Sequence, residues 1–148
     1  MSLISPHFSL REFTRSSAAT RIGDVNMPQA EHLNSLKARC NNILDPLRAA
    51  VQRPVRITSG LRSAAVSNAI RGSITSQHMK GEAVDLKVKG FTAPELLEIM
   101  VNLGLPFDQV IQYDPERGGH VHVSYTTRRA NRGQKLHAVK GGGYRTVK

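Results

Sequence analysis

The hexapeptide Ala83-Val84-Asp85-Leu86-Lys87-Val88 alternates in polarity along its whole length. Successive side chains of a strand point to opposite faces, so Ala83, Asp85 and Lys87 share one face while Val84, Leu86 and Val88 share the other. The segment reads as a half-buried strand, and any fold the chain adopts must set a carboxylate on the face away from the apolar row. Just upstream the chain runs Ser76-Gln77-His78-Met79-Lys80-Gly81-Glu82. Gly81 has the backbone freedom to let this loop fold back, so that His78 can approach Asp85.

His120-Val121-His122-Val123-Ser124 repeats the pattern, with His120, His122 and Ser124 on one face and both valines directed to the core. Two histidines and one aspartate could then meet across neighbouring strands. Three protein ligands and one open position is the arrangement of a catalytic zinc, whereas structural zinc sites are usually closed by four ligands rich in cysteine. A lone histidine is ordinarily a surface or packed residue. An alternating His-x-His on a polar strand face is less ordinary, and a buried aspartate without a partner would be costly.

These residues carry a family resemblance. Ser76-x-His78-x-x-Gly81-x-Ala83-x-Asp85, with a later His122 in a His-Val-Ser strand, resembles the zinc D-Ala-D-Ala carboxypeptidases and related phage endolysin peptidases. That group includes the vancomycin-resistance D-Ala-D-Ala dipeptidases and, more distantly, the metal-binding domain of hedgehog proteins. Ile57-Thr58-Ser59-Gly60-Leu61-Arg62-Ser63 is similar to the family's Ser-Gly-Tyr-Arg-Ser element, with Leu61 where tyrosine is commoner, and Phe107-Asp108-Gln109-Val110-Ile111 matches another family segment. The likeness runs from about Phe8 to Tyr144 and is nearest to small phage and prophage members.

The resemblance implies one zinc ion held by His78, Asp85 and His122. Zinc can make a bound water acidic, with a pKa of about 7 in favourable sites, and polarise a scissile carbonyl. Arg62 matches the family's arginine, which would grip a substrate carboxylate or the oxyanion formed on attack, and Ser76 would orient the loop or hydrogen-bond near His78. The general base is where this chain departs from the pattern: the better-known members place Glu or Asp three positions before the last histidine ligand, and here that position is Gly119. His120, on the shared strand face, is expected in that role first, and Glu116 second, with Asp114 also in the preceding turn. The implied substrates are peptidoglycan stem peptides, cut at D-Ala-D-Ala ends, at cross-links or at the L-Ala-D-Glu bond.

The remaining pattern predicts where helices and strands lie. Leu33, Leu36, Cys40, Ile43, Leu44, Leu47 and Val51 recur at spacings of three and four after Pro28, a helical stripe that Pro46 should kink or divide. Pro54 to Thr58 reads as a strand, Ala64 to Ile70 as a short helix, Ala93 to Leu103 as a helix capped by Thr92, and Gln109 to Tyr113 with His120 to Tyr125 as a hairpin. With the resemblance, this order implies an α+β fold: a small antiparallel sheet carrying the metal site, flanked by helices. The 148 residues suit one domain, with an N-terminal arm to about residue 27 and a basic extension from about 126.

The formal charge of +10 favours polyanions, whether nucleic acid or an anionic wall polymer. The tail from Thr126 is dense in Arg and Lys but carries only Tyr144 as an aromatic and matches no binding motif, so a solvated extension is expected before a nucleic-acid arm. Cys40 is the single cysteine and is expected as a core residue; nothing local would activate it as a thiol nucleophile. No apolar run approaches the length of a membrane span, and Met1 to His7 lacks the features of a secretory signal. The expectation is a monomer made in a bacterial cytoplasm that reaches the wall by phage-mediated release or as part of a virion. Its rivals are a zinc-binding structural module of a phage particle and a basic nucleic-acid binder.

Overall fold

Proline decides the shape of the long helical stripe. In the computed structural model, which describes residues 3–5, 7–14, 30–60, 82–127, 129–139 and 143–147, α2 spans Ala30–Arg39 and runs straight into a π-helical turn, Cys40–Leu44, before α3, Asp45–Val51. Pro46 has no N–H, and its ring would collide with the carbonyl four residues back in a regular helix. The chain widens instead, and the Asp45 N–H bonds to the Cys40 carbonyl five residues back. The predicted kink thus takes the form of a π-turn that keeps Cys40, Ile43, Leu44 and Leu47 fully buried. Gln52, in the left-handed conformation, ends α3, with its N–H on the Arg48 carbonyl at 3.1 Å.

The N-terminal arm packs on this layer. It comprises β1 (Leu3–Ser5), β2 (Phe8–Ser9) and α1 (Leu10–Thr14). Phe8 and Phe13 are buried with ring centroids 6.0 Å apart, and the Arg39 guanidinium lies 5.1 Å from the Phe13 centroid. Burial lowers the Arg39 pKa to about 10, and the nearby Cys40 and Glu82 act in the opposite direction. Ser5 Oγ donates to Asp45 Oδ1 at 3.0 Å, tying arm to helix.

The strands β3 (Val55–Ser59), β4 (Ala83–Val88), β5 (Gln109–Tyr113), β6 (Val121–Ser124), β7 (Gln134–Ala138) and β8 (Tyr144–Thr146) form a sheet in the order β3-β4-β6-β5-β7-β8. The expected α+β architecture holds. Every ladder is antiparallel except β5 with β7, which is parallel and makes the sheet mixed. The basic C-terminal stretch, expected as a solvated extension, therefore adds two strands. Val84, Leu86, Val110, Val121 and Val123 line the covered face and join the helices in one core. Helix α4 (Ala93–Asn102) packs on that face, its start fixed by a reciprocal cap: Glu95 N–H donates to Thr92 Oγ1 at 3.3 Å and Thr92 N–H to Glu95 Oε1 at 2.8 Å. Among the described residues no helix is long and apolar enough to cross a membrane.

Part of the basic tail is committed internally. Asp108, fully buried, accepts from Arg129 Nη1 and Nη2 at 2.8 and 3.1 Å and from Arg132 Nε and Nη2 at 3.0 and 2.8 Å. The Arg132 backbone N–H adds a fifth bond at 3.0 Å. Burial opposes ionisation of Asp108, but the hydrogen bonds from Arg132 and Arg129 outweigh it and hold the carboxyl well below the usual carboxylate range.

Candidate metal centre

The register of β4 on β6 builds the site. Val84 pairs with Val123 and Leu86 with Val121, both pairs turned into the core. The intervening pair, Asp85 and His122, must then share the opposite face. His122 Nδ1 lies 3.1 Å from Asp85 Oδ1, with only 14% and 15% of the two side chains exposed. Two bonds anchor the β4 end of the pair: Thr126 Oγ1 donates to Glu82 Oε2 at 2.9 Å in a buried contact, and Tyr125 N–H to the Glu82 carbonyl at 2.9 Å. Ser124, the third residue of the polar stripe, is fully buried and its Oγ accepts the Gln109 N–H at 3.1 Å, a structural task.

His120 enters from the turn between β5 and β6. Its Nε2 is 3.9 Å from Asp85 Oδ2, a charge contact too long for a hydrogen bond. The Tyr113 ring stacks on its imidazole, centroids 4.2 Å apart and planes 19° from parallel. Tyr113 N–H donates to the His120 carbonyl at 3.0 Å, so the hairpin register itself brings the two rings together. Gly118 also lies close to the ring: it has φ +110°, and a Cβ there would come within 2.8 Å of His120 Nδ1. Tyr113 was not among the residues expected at the site. Its only signal is its place at the end of β5, opposite the start of the returning strand.

The other candidates for the proton-transfer role sit differently. Glu116 is exposed on a 3-10 turn, Pro115–Arg117. Asp114 Oδ1 is 2.6 Å from Nε2 of His137 on β7, so its carboxylate is engaged away from the Asp85 pair. Gly119, at the position where an acidic residue was expected from the resemblance, has φ +67°, a backbone shape suited to glycine. Arg62, Ser76 and His78 lie outside the described residues, which leave β3 at Gly60 and resume at Glu82. A bulge between Ile57 and Ser59 sets Ser59 opposite Asp85 just before that point. Gly60 is buried where a Cβ would lie 2.5 Å from the Phe13 carbonyl oxygen, so the arm's close approach requires glycine there.

Asp85 and His122 can be tested as partners for a metal ion on their donor atoms. An oxygen and a nitrogen each about 2.0–2.1 Å from a tetrahedral zinc would stand about 3.3 Å apart. The observed 3.1 Å separation, carboxylate against neutral-capable imidazole, fits that pairing. Among the described residues no group of three His, Cys, Asp or Glu could hold an ion by itself, so a complete site needs a further ligand. The one cysteine is no substitute: burial pushes the Cys40 thiol up to about 12, only partly offset by Arg39.

A family model described as Peptidase M15 matches residues 6–124 of the chain. The match ends with the last residue of β6, so β7 and β8 lie beyond it. No curated protein matches the chain.

Proposed function

The chain belongs to the Peptidase M15 family, whose peptidases are zinc-dependent, and from that premise we propose that it hydrolyses peptide bonds in the stem peptides of bacterial peptidoglycan. The bond is at a D-Ala-D-Ala end, as in a carboxypeptidase, or within a cross-linked stem, as in an endolysin. The observation that carries the reading is the Asp85–His122 pair, donor atoms 3.1 Å apart on adjacent strands of a chain matched to this family.

His78, Asp85 and His122 would hold the zinc. When bound, zinc supplies Lewis acidity at the scissile carbonyl and a nucleophile derived from water near neutral pH. His120 is the chain's own proton carrier: its Nε2 faces the metal-site carboxylate, and from there it accepts a proton and delivers it to the leaving amine. Stacking on Tyr113 and the close approach of Gly118 hold the ring in that orientation. Arg62 binds a substrate carboxylate or offsets the negative charge that grows on the carbonyl oxygen, which a guanidinium does with two parallel hydrogen bonds. Ser76 serves as a supporting residue for the His78 ligand. The positive surface draws the protein to an anionic wall.

A zinc-binding module without hydrolytic activity is the second reading, favoured by Gly119 and the exposed position of Glu116. Incubating the protein with purified peptidoglycan separates the two. Hydrolysis predicts new amino or carboxyl ends, identified by mass spectrometry of the muropeptides and abolished by chelator. Intact muropeptides from zinc-loaded, folded protein would refute it.

A further inference from the structure

The last β4–β6 pair is Leu86 with Val121, and the chain then turns away through Gly119. Lys87 and the residues after it have no β6 neighbour, and a cavity of about 530 Å³ opens there, lined by Arg56, Lys87, Val88, Phe91, Leu96 and Gly119 among others. Lys87 follows Asp85 by two residues on β4, which puts it on the same face and about 7 Å farther along the strand. Arg56 on β3 is its direct cross-strand partner, and both are exposed. Like charges placed directly opposite in a ladder destabilise it. Among the described residues neither has an acidic partner, whereas nearby Arg53 is committed, donating to the Lys89 carbonyl at 2.9 Å and lying 5.7 Å from the Phe91 centroid.

We propose that Arg56 and Lys87 form an anion subsite next to the candidate metal centre, and that its ligand is a carboxylate of the peptide being cleaved. The guanidinium supplies a flat pair of donors and the ammonium a point charge, a combination suited to a carboxylate. Val88, Phe91 and Leu96 give the cavity an apolar floor for the carbon skeleton next to that carboxylate, which suits an amino acid better than a sugar phosphate. Gly119 lines the cavity and directly precedes His120, so a peptide seated here continues into the site. This subsite rests on the stem-peptide reading and names the feature of the substrate that is recognised.

The test is calorimetric titration of the full-length zinc-loaded protein with two synthetic stem peptides ending in D-Ala-D-Ala, one with all carboxylates free and one with all amidated. The free acid is expected to bind about tenfold more tightly at low salt, a preference that weakens as ionic strength rises. Arg56→Gln/Lys87→Gln should lose most of that preference, and Arg56→Glu/Lys87→Glu should favour the amide. Equal binding of both peptides to the unmodified protein would overturn the proposal. So would an undiminished preference in a folded double-Gln variant, all the more if that variant self-associates, since the charges would then serve only to keep the β3 edge from pairing. Hydrolysis followed in the same samples reports separately on the catalytic reading: a carboxylate preference that Arg56→Gln/Lys87→Gln removes, without cleavage by the unmodified protein, upholds the subsite while refuting the peptidase.

Discussion

Replacing Asp108 by Asn tests how the basic segment is held to the sheet. The amide keeps the volume and one accepting oxygen but turns an NH₂ toward the guanidinium groups. If that NH₂ takes the place of Oδ2, the bonds from Arg129 Nη2 at 3.1 Å and Arg132 Nη2 at 2.8 Å are lost. Hydrogen bonds to charged groups contribute about 1.5–3 kcal/mol each, and the lower end applies because the two arginine side chains are 42% and 43% exposed and regain water. Two such losses make about 3 kcal/mol, consistent with the cost of breaking a buried pair on one side. For a chain of this length that is a fall in melting temperature of about 10 °C.

Urea unfolding of the unmodified protein and Asp108→Asn at pH 7 measures it, with the midpoint moving and the slope unchanged. The pH dependence has a definite sign. The folded carboxyl titrates below its unfolded value, so its stabilisation is complete above the unfolded carboxylate range near pH 4 and fades as pH falls toward the folded value. The two proteins should therefore converge in stability in strong acid. A difference below about 1 kcal/mol at neutral pH, or one that persists unchanged at low pH, would refute the reasoning.

Two further outcomes follow from the same geometry. Tyr113→Ala should lower kcat on the order of tenfold with little change in KM, since it frees the His120 ring without touching substrate, and Tyr113→Phe should restore it; equal loss in both variants would assign the effect to the hydroxyl instead. Cys40 should resist thiol reagents in the native protein at pH 8 and react only on unfolding, because its pKa is raised to about 12; rapid native labelling would contradict its burial.

How much of this was legible beforehand differs from element to element. The alternation of Ala83 to Val88 and of His120 to Ser124 is local and strict, and it forced Asp85 and His122 onto one face before any partner was known. Pro46 announced a break, but whether a helix kinks or widens is settled by what must stay buried around it, here Cys40, Ile43 and Leu44. Gln134 to Ala138 has no clean two-residue period, since β7 lies half-exposed in a parallel ladder with β5, a pairing decided by long-range packing. The same tertiary choice brings His137 to Asp114 and so withdraws that carboxylate from the Asp85 pair. Asp108 showed the same limit: the residue stood in a recognisable segment, but its role depends on arginines more than twenty positions away.

The central claim, that residues far apart in the chain hold a single zinc ion, is tested most directly by metal content. Protein stripped with chelator, dialysed against excess zinc and desalted is measured by elemental analysis together with His78→Ala, Asp85→Asn and His122→Ala, each checked for folding. The account predicts about one zinc per chain in the unmodified protein and little or none in the three variants. A folded, unmodified protein that retains no zinc, or variants that retain as much as it does, would contradict it.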